Sequence, residues 1–125
     1  MITFTLPLPS AKLCANARTH WRSKAPITKA ARELACLTAT QARIKHGGID
    51  RVSSIKVTYD KSYTMMGRNK FPAGYRPSDR DNAIGVLKAY LDGIADGLGV
   101  NDRDFGPLTL DWGTGNPGVT FEVVV

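Results

Sequence analysis

The stretch PSDRDN, residues 77–82, places two carboxylates, Asp79 and Asp81, two residues apart at the head of an apolar periodic segment. A second acidic pair, Asp102 and Asp104, follows that segment in NDRDF. Carboxylates from two loops are the usual means of holding a hard divalent cation such as Mg²⁺ or Mn²⁺, which keeps water and a substrate phosphate in its remaining positions. Such an ion polarises a phosphoryl oxygen, lowers the pKa of a bound water and stabilises charge on a leaving oxygen. The acids also have a plain structural use. Asp79 can cap the following helix, Ser78-x-x-Asp81 has capping-box spacing, and both charges complement a helix N-terminus. A cap needs one acid, so the second pair is what tilts the reading toward a metal. Lys88 follows Asp81 by seven residues, two turns of a regular helix, so it shares the face of Asp81 and suits phosphate charge. Its plain use is an i,i+4 ion pair with Asp92.

Charge along the chain points to the same kind of substrate. Residues 1–78 carry fourteen Lys and Arg against Glu33, Asp50 and Asp60, whereas residues 79–125 carry Arg80, Lys88 and Arg103 against eight acids. A basic surface attracts polyanions, because neutralised phosphates release counterions. An acidic focus within it repels a nucleic acid unless a divalent cation sits between them. Arg18, Arg22 and Lys24 in the basic segment 10–27, and Arg80 beside the acids, are the expected contacts to a DNA backbone. Arg68, Lys70 and Arg76 interleave with Tyr63, Phe71 and Tyr75, a composition suited to phosphates and unstacked bases.

Other chemistries are absent from the sequence. Cys14 and Cys36 lack metal or disulfide spacing and read as reduced packing residues, and His20 and His46 read as loop or cap positions. There is no Ser-His-Asp pattern and no Gly-rich phosphate loop. No apolar run approaches the length of about 20 residues that spans a bilayer, and MITFTLPLPS lacks the order of a signal peptide, so a cytoplasmic protein without membrane partners is expected.

These side chains need elements to position them, and the length suits one domain over residues 1–125. A strand is expected over 2–6, stopped by Pro7 and Pro9, and then a loop or arm over 10–27. A helix follows from about Thr28, its cap, to His46, with Ala30, Leu34, Leu37 and Ile44 as the buried face and Gly47-Gly48 as its stop. Residues 52–59 read as a strand, and 60–78 as irregular, with Tyr63 to Met66 as a prolongation of that strand. A second helix runs from Asp79 or Arg80 to Leu98, burying Val86, Leu87, Tyr90, Leu91, Ile94 and Leu98, with Gly85 and Gly93 at close packing and Gly97 and Gly99 at its end. Strands over 108–112 and 119–125 complete the order β-α-β-α-β-β, an α/β class of the α+β kind around a mixed sheet. In this arrangement Asp79 and Asp102 stand at opposite ends of a helix about 25–30 Å long. For both to meet one ion, the segment after Gly97 must fold back.

At Asp79-Arg80-Asp81-Asn82, followed by LKAYLDGI and GVND, the sequence resembles the RusA family of phage-associated Holliday junction resolvases. Lys88 with Leu91-Asp92 is similar to that family's Lys and Leu-Asp, and Asn101-Asp102 takes the place of its acid pair. The opening ITFTLPLPS and the KAPIT before the first helix are similar too. The resemblance implies a small dimeric α/β domain that uses Mg²⁺, with Mn²⁺ as a substitute, to resolve four-way junctions and related branched DNA by paired nicks in recombination and repair. It implies Asp79, Asp81 and Asp102 as the metal-binding catalytic acids, Lys88 as the basic helper and Asp104 as an auxiliary ligand. Two departures stand out: extra residues separate Asp81 from Lys88, and Asn101 replaces the first acid of the pair. The alternative on the same scaffold is a non-catalytic, structure-selective DNA-binding protein whose acids are caps.

Overall fold

Threonines alternate with larger apolar residues in ITFTL, and a computed structural model, which describes residues 1–13, 21–61, 63–66, 69–72 and 75–125, forms strand β1 there (Ile2–Leu6). Ile2, Phe4 and Leu6 are buried while Thr3 and Thr5 face out, the period of a sheet with one covered face. The same alternation buries Ile55, Val57 and Tyr59 in β2 (Ser54–Asp60), Leu110 in β5 (Leu108–Trp112) and Val119, Phe121 and Val123 in β6 (Gly118–Val124). The four strands form one mixed sheet in the order β1-β6-β2-β5. β6 runs antiparallel to both its neighbours, and β2 and β5 are parallel. The buried face is covered by helices, giving a single small α+β domain of two layers.

Residues 60–78 hold more order than expected. Tyr63–Met66 (β3) does not prolong β2. It pairs antiparallel with Asn69–Pro72 (β4) as a separate two-stranded sheet.

The first helix, α1 (Trp21–His46), differs from expectation at its start and in its face. It begins seven residues before Thr28 and carries Pro26 inside it. Thr28 is not the cap, because its hydroxyl donates to the Lys24 carbonyl at 3.0 Å, as a threonine inside a helix does. The part of the expected arm from Trp21 to Ile27 is therefore helical. The face error is larger. Ala30, Leu34, Leu37 and Ile44 are exposed, Leu37 and Ile44 at 64% and 68%, while Ala35 and Ala39 are fully buried and Ile27, Ala31 and Ala42 pack beside them. The cause lies in the partner helix. A Cβ on Gly93 would come to 2.2 Å from the Arg32 carbonyl oxygen, and one on Gly97 to 2.5 Å from that of Cys36. Backbones this close leave room on α1 for alanine and nothing larger.

That partner is the second half of the expected single helix, which is two helices. α2 (Arg80–Val86) and α3 (Lys88–Leu98) meet at Leu87, whose N–H is shared among the carbonyls of Ala83, Ile84 and Gly85. A β-branched valine and a glycine precede this break, both weaker helix formers than alanine. The expected apolar face is otherwise as read: Val86, Leu87, Tyr90, Ile94 and Leu98 are buried and Leu91 is partly so. Gly97 lies within α3, packed on α1, and Gly99 at φ 72° is the left-handed C-cap.

Candidate active site

The PSDRDN segment is held at both sides before its acids begin. Pro77 is buried, and its carbonyl accepts the Lys61 ammonium at 2.8 Å, while the same ammonium lies 4.2 Å from the Trp112 ring centre. Two residues earlier, Tyr75 offers its carbonyl to the Tyr59 hydroxyl at 2.7 Å. Burial raises the pKa of the Tyr59 phenol well above its usual value, so it stays a neutral donor. Lys61 and Tyr59 were not singled out in the sequence, because their partners are more than a dozen residues away.

Asp79 is the N-cap of α2. One of its oxygens accepts the Asn82 backbone N–H at 2.8 Å, and the other faces the Asn82 side-chain amide at 3.3 Å. Asp81 lies exposed in the first turn, one turn before Gly85 on the same helical face. Lys88 opens α3, and its ammonium is 3.9 Å from Asp92 one turn on. Beyond Gly99 the chain turns back. Asn101 accepts the Arg103 N–H at 3.2 Å and starts a single 3-10 turn over Asp102–Asp104, with Asp102 and Asp104 both exposed.

This return is where the reach problem resolves in part. Asp102 comes back as far as Asp92 and Lys88, and the three line one cavity of about 330 Å³ with Gly85, Leu91 and Phe105 in its wall. Asp79 and Asp81 are outside that lining. Among the described residues, no three Asp, Glu, His or Cys side chains gather as a metal cluster. The structure also places Asp92 on this cavity, a residue the sequence marked as a partner of Lys88 and as part of the Leu-Asp resemblance but not as a ligand. Its spacing to Lys88 and its place after Leu91 were the available signals.

Mg²⁺ commonly takes one or two carboxylates and fills its octahedron with water and substrate phosphate, and Asp92 and Asp102 are the two carboxylates that line this cavity. Arg32 closes the far side of this acidic patch. It donates to Asp96 at 2.6 and 3.1 Å. Those hydrogen bonds and the Asp96 charge, with smaller contributions from Asp92 and Asp102, raise the guanidinium pKa, and the same hydrogen bonds hold the Asp96 carboxyl below the usual carboxylate range.

A basic wall adjoins the acids. Across Gly85 and Lys88 lies a second cavity of about 280 Å³, lined also by Leu13, Lys24, Thr28 and Asp92. A shallower one of about 480 Å³ continues along α1 past Lys24, Thr28, Lys29 and Arg32. Of the other expected DNA contacts, Arg22 and Arg80 are exposed on the first turns of α1 and α2, and Arg76 is exposed with its Nε–H donating to the Lys61 carbonyl. Lys70 lies in β4, and Arg18 and Arg68 fall outside the described residues. A separate cavity of about 420 Å³, between β1 and the end of α1, has Lys45 and His46 but no carboxylate in its lining.

No family model matches the chain, and no solved structure matches it. A curated protein of Xylella fastidiosa (strain Temecula1 / ATCC 700964), described as an uncharacterized protein, is 34% identical over 105 residues, which is 84% of this chain. The chain spans 63% of the length of that relative. Among the described residues, no helix is long and apolar enough to cross a membrane.

Proposed function

We propose that the protein is a Mg²⁺-dependent endodeoxyribonuclease of the RusA kind, a dimer that nicks four-way junctions and related branched DNA. The observation that carries this reading is the shared cavity of Lys88, Asp92 and Asp102, which adjoins the basic wall of α1 across Gly85. Asp92 and Asp102 hold the ion, and Asp81, one turn before Gly85 on α2, is a further carboxylate on that helix. Bound there, Mg²⁺ supplies Lewis-acid activation of the scissile phosphodiester. The Lys88 side chain is 76% exposed, so its ammonium can leave Asp92 for a phosphate oxygen as charge develops. Lys24, Lys29, Arg22 and Arg80 hold the backbone by charge, which positions the strand without reading its sequence. Asp79 fixes the start of α2, and a carboxylate has lone pairs enough to cap and to ligate.

The outer face of α1 supports the dimer. Ala30, Leu34, Leu37, Gln41 and Ile44 are all exposed, and their alternating spacings of four and three are those of a helix seam that another helix fills. The same helix of a second copy supplies a matching seam, and a two-fold dimer suits a junction with two equivalent strands to cut.

The test is cleavage of a labelled synthetic four-way junction and a matched linear duplex, with Mg²⁺ or EDTA, by the wild type, Asp81→Asn and Asp102→Asn. Paired nicks in the junction alone, lost with EDTA and with Asp102→Asn, are expected. A second reading, a non-catalytic junction-binding protein, is favoured by the engagement of both Asp79 oxygens with Asn82. It requires salt-sensitive junction binding without nicks in any metal.

A further inference from the structure

Neither packing nor the sign of φ requires glycine at position 85. It lies inside α2, its φ is outside the left-handed region, and a Cβ built on it meets nothing within 4 Å. Glycine within a helix is less stable than alanine at the same position, because the unfolded chain gains more freedom. Gly93 and Gly97 are different, since a Cβ at either runs into the backbone of α1. At Gly85 the fold therefore accepts a loss of stability with no packing gain in return.

What Gly85 does adjoin is open space on two sides. It lines one cavity with Asp102 and another with Lys24 and Thr28, and Lys88 and Asp92 border both. A side chain here would stand on the saddle between them. We infer that Gly85 is a positioning residue. Its bare backbone leaves the saddle low, so that the sugar–phosphate chain of a bound DNA strand crosses α2 in contact with the main chain, from Lys24 and Thr28 past Lys88 and Asp92 to Asp102. Backbone glycines serve wherever a ligand must come closer than any Cβ allows. The inference rests on the nuclease reading above and deepens it by fixing the path of the strand.

The experiment compares wild type, Gly85→Ala and Gly85→Leu in three measurements: the urea midpoint of unfolding, junction affinity in EDTA, and single-turnover cutting in Mg²⁺. Gly85→Ala is expected to raise the unfolding midpoint. It lowers the cutting rate at saturating junction by about 10- to 100-fold, the effect of displacing the reacting group by the size of a methyl, and Gly85→Leu lowers it further. A Gly85→Ala variant that cuts at the wild-type rate overturns the inference and leaves the nuclease reading standing. A variant that is both slower and less stable than wild type overturns it too, since Gly85 then serves the fold. A wild type that binds the junction without cutting it, or does not bind it, overturns the nuclease reading, and the inference falls with it.

Discussion

The two margins of the α2–α3 unit use space in opposite ways. Where α3 meets α1, every ångström is taken: Ala35 and Ala39 face Gly93 and Gly97, and Arg32 and Asp96 close the exposed edge of the contact. Where α2 and α3 border the cavities, Lys88, Asp92 and Asp102 surround volume that no side chain fills. One margin holds the fold and tolerates no added atom. The other borders open volume. If that volume is the site proposed above, stability and function are separable by position along a single stretch of chain.

The largest expected effect tests the crowded margin. Gly93→Ala places a methyl on the Arg32 carbonyl and should destabilise by about 2–3 kcal/mol, read as a fall in the urea midpoint, with Gly97→Ala close behind. The open margin should respond in the reverse sense. Asp92→Asn should slow junction nicking by about 10²-fold or more. The same substitution should leave unfolding within about 0.5 kcal/mol of wild type, because Asp92 is only an edge partner of Lys88. If Asp92→Asn instead unfolded the protein, the two margins would not be separable. Asp79 sits between these extremes. Asp79→Ala should cost about 1 kcal/mol through the lost cap, whereas Asp79→Asn keeps the cap. Nicking by Asp79→Asn then reports whether the carboxylate also serves the ion.

Smaller effects sharpen the view of α1. Leu37→Lys, on a residue 64% exposed, should leave the stability of a monomer within about 0.5 kcal/mol, yet shift sedimentation from dimer to monomer. The smallest concerns the Arg32–Asp96 pair, whose side chains are 51% and 44% exposed. Because the Asp96 pKa is lowered in the folded state, the stability from this pair is present above the unfolded carboxylate value of about 3.9. It is lost as pH falls through the lower folded value. Arg32→Gln should move the Asp96 carboxyl titration, followed by NMR, back up toward the ordinary range, with a difference that shrinks in high salt.

How legible these features were in the sequence follows from what each depends on. The four strands of the mixed sheet and the apolar face of α3 could be read because large residues recur at the period of their own element and are the ones buried, whereas the β3–β4 pair in the Gly- and Pro-rich stretch could not. α1 inverts that rule. Its large residues face out, and the signal for its true inner face was the run Ala31, Ala35, Ala39 and Ala42 together with Gly93-x-x-x-Gly97, two faint patterns that mean something only as a pair. The break at Leu87 depends on a shared N–H and left no pattern of its own. Of the residues singled out from type and spacing, Asp102 and Lys88 line the cavity, and Asp79 and Asp81 do not. Asp92 figures in the sequence as the i,i+4 partner of Lys88 and in the Leu-Asp resemblance, neither of which marks a ligand. The cavity that unites the three exists only once Gly99 has turned the chain back, and the basic wall depends on α1 being helical through Lys24.

The place of β6 in the sheet has a consequence for how the molecule is made. Residues 118–124 follow every other strand in sequence, yet they lie between β1 and β2 and hydrogen-bond to both. Until those residues leave the ribosome, β1 has no neighbour and the inner face of the sheet cannot close. The nascent chain can pack α3 on α1, but the apolar faces that meet the sheet stay uncovered until residues 118–124 have emerged. Folding of this domain should therefore await β6 as one cooperative event dominated by contacts between distant residues, and a chain stopped before residue 118 should show no protected core by pulse proteolysis.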